Sequence, residues 1–117
     1  VTSQITSHVL DSSVGRAAEG VRIHLRALGG QELARAVTDA DGRVSDLGPA
    51  LLPAGTYELV FETGAYFAAR GVDTFYPHIT VAIEITSADS GSGDETPPHF
   101  HVPLLLSPFA YSTYRGT

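Results

Sequence analysis

An all-β sandwich is the fold class that this sequence predicts, and three observations carry the prediction. Apolar residues recur with a period of two along much of the chain. Clusters of Gly, Pro, Asp and Ser separate these stretches at short intervals, and only one short segment has helical character. About seven or eight short strands with regular turns read as a sandwich. No internal repeat is visible.

The elements follow in order. Thr6–Leu10 is a short strand candidate, closed by a turn over Ser12–Gly20. Val21, Ile23, Leu25 and Ala27 then alternate with Arg22, His24 and Arg26, the pattern of a half-buried antiparallel strand. Gly29-Gly30 turns the chain into a second short candidate, Glu32–Thr38, and Asp39–Gly42 turns it again through a strong Asp-Gly dipeptide. After the Pro53–Gly55 turn, Tyr57, Leu59 and Phe61 alternate with Glu58, Val60 and Glu62. Gly64–Arg70 is the helical segment, with Gly71 at the position that ends a helix. Val81, Ile83 and Ile85 alternate with Thr80, Ala82 and Glu84, and Ser87–Pro98 is a polar loop expected to be disordered. The last strands are Phe100–Leu106 and Tyr111–Arg115, parted by the Ser107-Pro108 corner. Leu104, Leu105 and Leu106 are consecutive, so this strand turns apolar side chains to both faces. One face fills the core and the other calls for a partner subunit.

Composition sets bounds on function. The 117 residues are expected to form one domain, 1–117, and 43% hydrophobic content suffices for a small core. No apolar stretch approaches the roughly 20 residues of a membrane span. Cys is absent, which removes disulfides, thiolate nucleophiles and Cys-ligated metal. All 7 basic residues are Arg, so a Schiff-base lysine is excluded as well. A net charge of −6 without a basic run argues against nucleic acid, whose binding rests on neutralising phosphates. The expected location is the cytoplasm; Val1–Gln4 shows no secretory pattern, and a leader removed before Val1 stays an open alternative.

Motifs for metal and phosphate fail on inspection. Asp39-Ala40-Asp41-Gly42-Arg43 resembles the opening of a calcium loop, but Arg43 stands at the third ligand place and Ala50 at the closing one. A hairpin turn explains it. Gly91–Thr96 lacks the third glycine and the following helix of a phosphate loop. Among the five histidines, His99 and His101 share a face of their strand, yet no third metal ligand at a usual spacing accompanies them. No metal or other cofactor is therefore assigned. His24 reads as solvated and His78 has no visible partner, while His8 reads as a hydrogen-bonded structural residue unless other evidence intervenes.

That evidence is a resemblance. Ser7-His8-Val9-Leu10-Asp11, Thr38-Asp39-Ala40-Asp41-Gly42-Arg43 and the stretch from His101 through Ser107-Pro108-Phe109 to Tyr114-Arg115-Gly116-Thr117 together resemble the 5-hydroxyisourate hydrolases, the transthyretin-like enzyme family of urate breakdown. The resemblance implies a transthyretin-like (prealbumin-like) β-sandwich of two four-stranded sheets with one short helix near residues 64–70. It implies hydrolysis of 5-hydroxyisourate in purine degradation without a cofactor. It also implies a homotetramer, a dimer of dimers with active sites where the dimers meet. His8, Arg43 and His101 match the family's catalytic residues. Tyr114, Arg115, Gly116 and Thr117 match its substrate-binding tail, where Thr117 replaces the usual Ser. His99 falls outside the pattern and reads as a bystander.

The chemistry of these side chains suits that role. Opening a cyclic amide needs an activated water, a stabilised oxyanion and a proton for the departing nitrogen. Two imidazoles can exchange protons near neutral pH, and a guanidinium can hold developing negative charge. His8 and His101 are expected to share the base and acid duties, Arg43 to steady the anion, and Tyr114 to position substrate; which histidine activates water is open at this level. The alternative is a non-catalytic transthyretin-type carrier of small ligands, but its marks are a Lys at the place of His8 and loss of the terminal tetrapeptide. Neither mark is present. A structural adhesion domain would leave His8, His101 and the tail unexplained.

Overall fold

Period-two alternation closes into two sheets around one shared core. The structure, a computed structural model, describes residues 3–87 and 98–116. Thr117 and nearly all of the predicted Ser87–Pro98 loop lie outside the described residues. The strands are β1 (Ile5–Asp11), β2 (Arg16–Ala17), β3 (Arg22–Ala27), β4 (Glu32–Val37), β5 (Arg43–Val44), β6 (Gly55–Phe61), β7 (Ile79–Ile85), β8 (Phe100–Leu106) and β9 (Tyr111–Thr113), with helix α1 (Thr63–Ala68) between β6 and β7.

One sheet runs β4-β3-β6-β7, antiparallel throughout. The other has five strands rather than the four implied by the resemblance. Its order is β2-β1-β8-β9, and β5 also pairs with β1. The extra strand adds no width. β5 lies against Ser7 and His8 while β2 lies against Leu10 and Asp11, so two short strands share one edge of β1. β1 and β8 pair in parallel over their full lengths, joining the two ends of the chain at the middle of the sheet.

The core is built from the inward members of each alternation. Ile5 and Val9 of β1 and Val102, Leu104 and Leu106 of β8 meet Ile23 and Leu25 of β3 and Leu59 and Phe61 of β6. Each such side chain contributes about 1.5–3 kcal/mol on burial. Leu105 is only half-buried and belongs to the opposite, outer face, as the run of three leucines requires. Helix α1 ends with a paired set of bonds, Val72 N–H to the Phe67 carbonyl and Gly71 N–H to the Ala68 carbonyl. That is a Schellman closure, and it puts Gly71 at the expected C′ position. Tyr66 and Phe67 anchor the helix to the core, and the Tyr66 hydroxyl donates to Asp11 Oδ2 at 2.8 Å.

Candidate active site

Strand register gathers the predicted residues. His8 lies opposite Arg43 across β1 and β5, and Thr6, two residues before His8, lies opposite His101 across β1 and β8. Residues directly opposite each other share a face of the sheet. Ile5 and Val9 point inward, so His8, Arg43 and His101 stand together on the outer face.

The turn before β5 holds Arg43 in place. Asp39 Oδ1 accepts the backbone N–H groups of Asp41 and Arg43 at 2.8 and 3.0 Å. These bonds, that of Arg43 foremost, keep the Asp39 carboxyl below its ordinary pKa. Gly42 has φ +73°, and a Cβ there would meet the Val9 carbonyl at 2.3 Å. Only glycine lets the turn press so closely on β1. The Arg43 guanidinium is exposed and makes no hydrogen bond or ion pair among the described residues, so its five donors are available to an anion.

The same turn fixes the His8 tautomer. His8 Nε2 lies 2.9 Å from the Asp41 carbonyl oxygen. A carbonyl can only accept, so Nε2 carries the proton and the lone pair of the neutral ring is on Nδ1.

His101 is half-buried and tightly framed. Its Nδ1 lies 2.8 Å from the Thr6 hydroxyl, which is also 2.8 Å from His99 Nε2. Burial holds the His101 pKa below the ordinary histidine value, and the Arg43 charge and the His99 and His8 rings push it the same way. The tail closes over the other side. Gly116 N–H donates to the His101 carbonyl at 2.8 Å, and a Cβ on Gly116 would sit 2.6 Å from His101 Cδ2.

The rest of the tail divides. Tyr114 is 57% exposed. Arg115 alternates with Gly116 and turns the other way, its guanidinium carbon 4.6 Å over the Phe100 ring, which belongs to the core. Of the tail residues named from sequence, Gly116 reaches His101, and Arg115 is not brought to the face of His8 and Arg43. Two hollows meet at His101. One, of about 300 Å³, is lined by Thr6, Arg43, His99 and His101 among others; the second, of about 250 Å³, lies between β7 and the tail and is lined by Phe100, Tyr114 and Arg115. Among the described residues no group of three His, Asp or Glu is placed to hold a metal ion.

Thr6 and His99 escape sequence reasoning. Thr6 is 7% exposed and joins both imidazoles. The alternation does place Thr6 and His8 on one face, but nothing in the local pattern reveals that β1 pairs with β8. The other histidines are remote: His24 pairs with Glu32 on the second sheet at 2.9 Å rather than standing solvated, and His78 lies beside it.

Comparison with known proteins places the chain in context. The model of the HIUase/Transthyretin family matches residues 5–116. The chain is 44% identical to 5-hydroxyisourate hydrolase 2 of Rhizobium meliloti, covering 99% of this chain and 98% of that protein. The solved 5-hydroxyisourate hydrolase of Klebsiella pneumoniae superposes with a TM-score of 0.81 at 40% identity, over 97% of this chain and 98% of the other. Transthyretin from Sparus aurata gives the same TM-score at 30% identity, over 97% of this chain and 96% of the other.

Proposed function

The chain belongs to the HIUase/transthyretin family, and from that premise we propose that it is a 5-hydroxyisourate hydrolase, opening the six-membered ring of its substrate to give 2-oxo-4-hydroxy-4-carboxy-5-ureidoimidazoline. The observation that carries the site assignment is the shared outer face of His8, Arg43 and His101. Its groups supply each requirement of amide hydrolysis. His8, with its lone pair on Nδ1, takes the proton of the attacking water. Arg43, free of intramolecular partners among the described residues, stabilises the oxyanion as it forms. His101, kept neutral by burial and by Arg43, serves the departing nitrogen. Tyr114 and Arg115 line the hollow beside it and Gly116 abuts its ring; with Thr117 they make up the substrate-binding tetrapeptide that the family resemblance implies. The reading uses side chains of the protein alone.

The assembly belongs to the same proposal. Leu10 and Leu105 are half-buried on the outer face around the site, which supports a partner subunit there. A homotetramer, a dimer of dimers with sites between the dimers, meets that need, and sedimentation at working concentration tests it; a monomer that turns over substrate rejects it. No helix among the described residues is long and apolar enough to cross a membrane. The proposal places the reaction in the cytoplasm, with which a Cys-free sequence is compatible.

The test follows decay of freshly generated 5-hydroxyisourate by absorbance. The wild-type protein accelerates it, whereas His8→Asn and His101→Asn each lose about 10²–10⁴-fold in turnover and Arg43→Gln about 10²–10³-fold. Near-normal turnover in a variant removes that residue from the mechanism. A wild-type protein that leaves the decay rate unchanged overturns the function.

A further inference from the structure

The Thr6 hydroxyl is a shared resource. It lies 2.8 Å from His101 Nδ1 and 2.8 Å from His99 Nε2, and it has no third partner among the described residues. A hydroxyl donates once. If it donates to His101 Nδ1, the neutral His101 ring carries its proton on Nε2, and His99 Nε2–H donates back to the hydroxyl. If it donates to His99, His101 must hold its proton on Nδ1 instead. One hydroxyl proton therefore couples the tautomers of the two rings.

Resting on the hydrolase reading above, we propose that Thr6 and His99 are positioning residues that hold His101 as the Nε2–H tautomer and replace the proton it gives to the departing nitrogen. The division of labour across the face requires this orientation. His8 is fixed with a free lone pair and suits the base. Its partner then has to be the donor, and a neutral imidazole donates only from a protonated nitrogen. When His99 carries protons on both nitrogens, Nε2–H can only donate to Thr6. The hydroxyl then turns to His101 Nδ1, and Nε2–H of His101 is presented.

The proton count balances along the same line. As the Nε2–H bond of His101 breaks towards the leaving nitrogen, the Thr6 hydroxyl proton passes to Nδ1. The Nε2 proton of His99 then restores the hydroxyl. With His99 starting as the imidazolium, His101 ends as a neutral ring protonated on Nδ1, Thr6 is unchanged, and His99 ends as a neutral ring. His99 is exposed and Thr6 is buried. The proton deficit thus falls on the ring that water can reprotonate.

Thr6→Val keeps the shape of the side chain and removes the hydroxyl, Thr6→Ser keeps the hydroxyl, and His99→Ala removes the outer ring at an exposed position. Thr6→Val and His99→Ala are expected to lower kcat about 10–100-fold, the usual effect of losing a group that orients an active histidine. KM stays within about twofold because no group assigned to substrate contact is altered, and Thr6→Ser recovers most of the loss. Long-range ¹H–¹⁵N spectra read the tautomer without reference to activity: His101 shows a protonated Nε2 and bare Nδ1 in the wild type, and a mixture in Thr6→Val and His99→Ala. A wild-type His101 protonated on Nδ1, or variants with unchanged kcat and an unchanged tautomer, overturns the proposal. If His101→Asn itself retains turnover, the hydrolytic role of His101 has failed instead, and the spectra alone decide whether Thr6 governs the tautomer. Should Thr6→Val not fold, His99→Ala carries both measurements.

Discussion

Replacing Gly116 by alanine tests how closely the tail and His101 are matched. The added Cβ would lie 2.6 Å from His101 Cδ2, 3.3 Å from His101 Cβ and 3.2 Å from Pro103 Cγ. Non-bonded carbons rest at about 3.5–4.0 Å, so the closest contact is short by about 1 Å. Two responses are available. If the imidazole gives way, it leaves the Thr6 hydroxyl, and a displacement of about 1 Å at a reacting group costs on the order of 10²-fold in rate. If the tail lifts instead, the Gly116 N–H to His101 carbonyl bond is lost. That bond is worth about 1 kcal/mol, or about 5 °C in Tm for a domain of this size. The variant should then behave like a protein lacking Tyr114–Thr117, with activity lost far more than fold. Turnover of 5-hydroxyisourate, Tm, and the activity of the truncated chain distinguish the two responses. Unchanged kcat and KM in a folded Gly116→Ala protein refutes the claim that the tail presses on a ring that takes part in the reaction.

Two further outcomes follow from the ionisable groups. His101 titrates below the ordinary histidine value of about 6.5 because of burial first and then the Arg43 charge, with His99 and His8 adding to it. It therefore stays neutral to lower pH than a free histidine, and Arg43→Gln should move its NMR titration midpoint upward; no movement would show that the guanidinium does not act on this ring. On the inner side, Tyr66 donates to Asp11, which is 2% exposed, and burial followed by this bond pushes the phenol pKa up to about 12. Tyr66→Phe strips Asp11 Oδ2 of its partner and should cost about 1–3 kcal/mol by urea denaturation while sparing activity. Between about pH 10 and 12 the unfolded chain loses the Tyr66 proton before the folded one, so wild-type stability falls as pH rises through that window. A variant with the same alkaline slope would show that the loss has another source.

The sandwich was legible because it rests on short-range regularities. Alternation at Val21–Ala27 and Tyr57–Phe61 marks two strands of the second sheet, and Gly71 marks the helix end. β2 and β5 have two residues each, too few for any period, so the fifth strand of the first sheet could not be read. Resemblance to a family named the candidate site residues, but not their arrangement. Nothing local to Ser7–Asp11 or His101–Leu106 announces a parallel partnership across the length of the chain. Without that register, Thr6 is an ordinary strand threonine and His99 a spare histidine. Arg115, which the family resemblance names as substrate-binding, has its guanidinium over the Phe100 ring and lines the hollow beside His101, a placement that no local pattern announces.

The parallel pairing of β1 with β8 also has a consequence for synthesis. His8 and Arg43 leave the ribosome well before β8, the strand that must lie beside β1. Until β8 emerges, one long edge of β1 is bare, and an unpaired edge is a template for association with other chains. Closing so distant a pairing is also slow compared with forming hairpins. Until then the nascent chain holds two of the three proposed catalytic groups, His8 and Arg43, without His101. The step that creates the site is the same step that removes this edge from the reach of neighbouring chains.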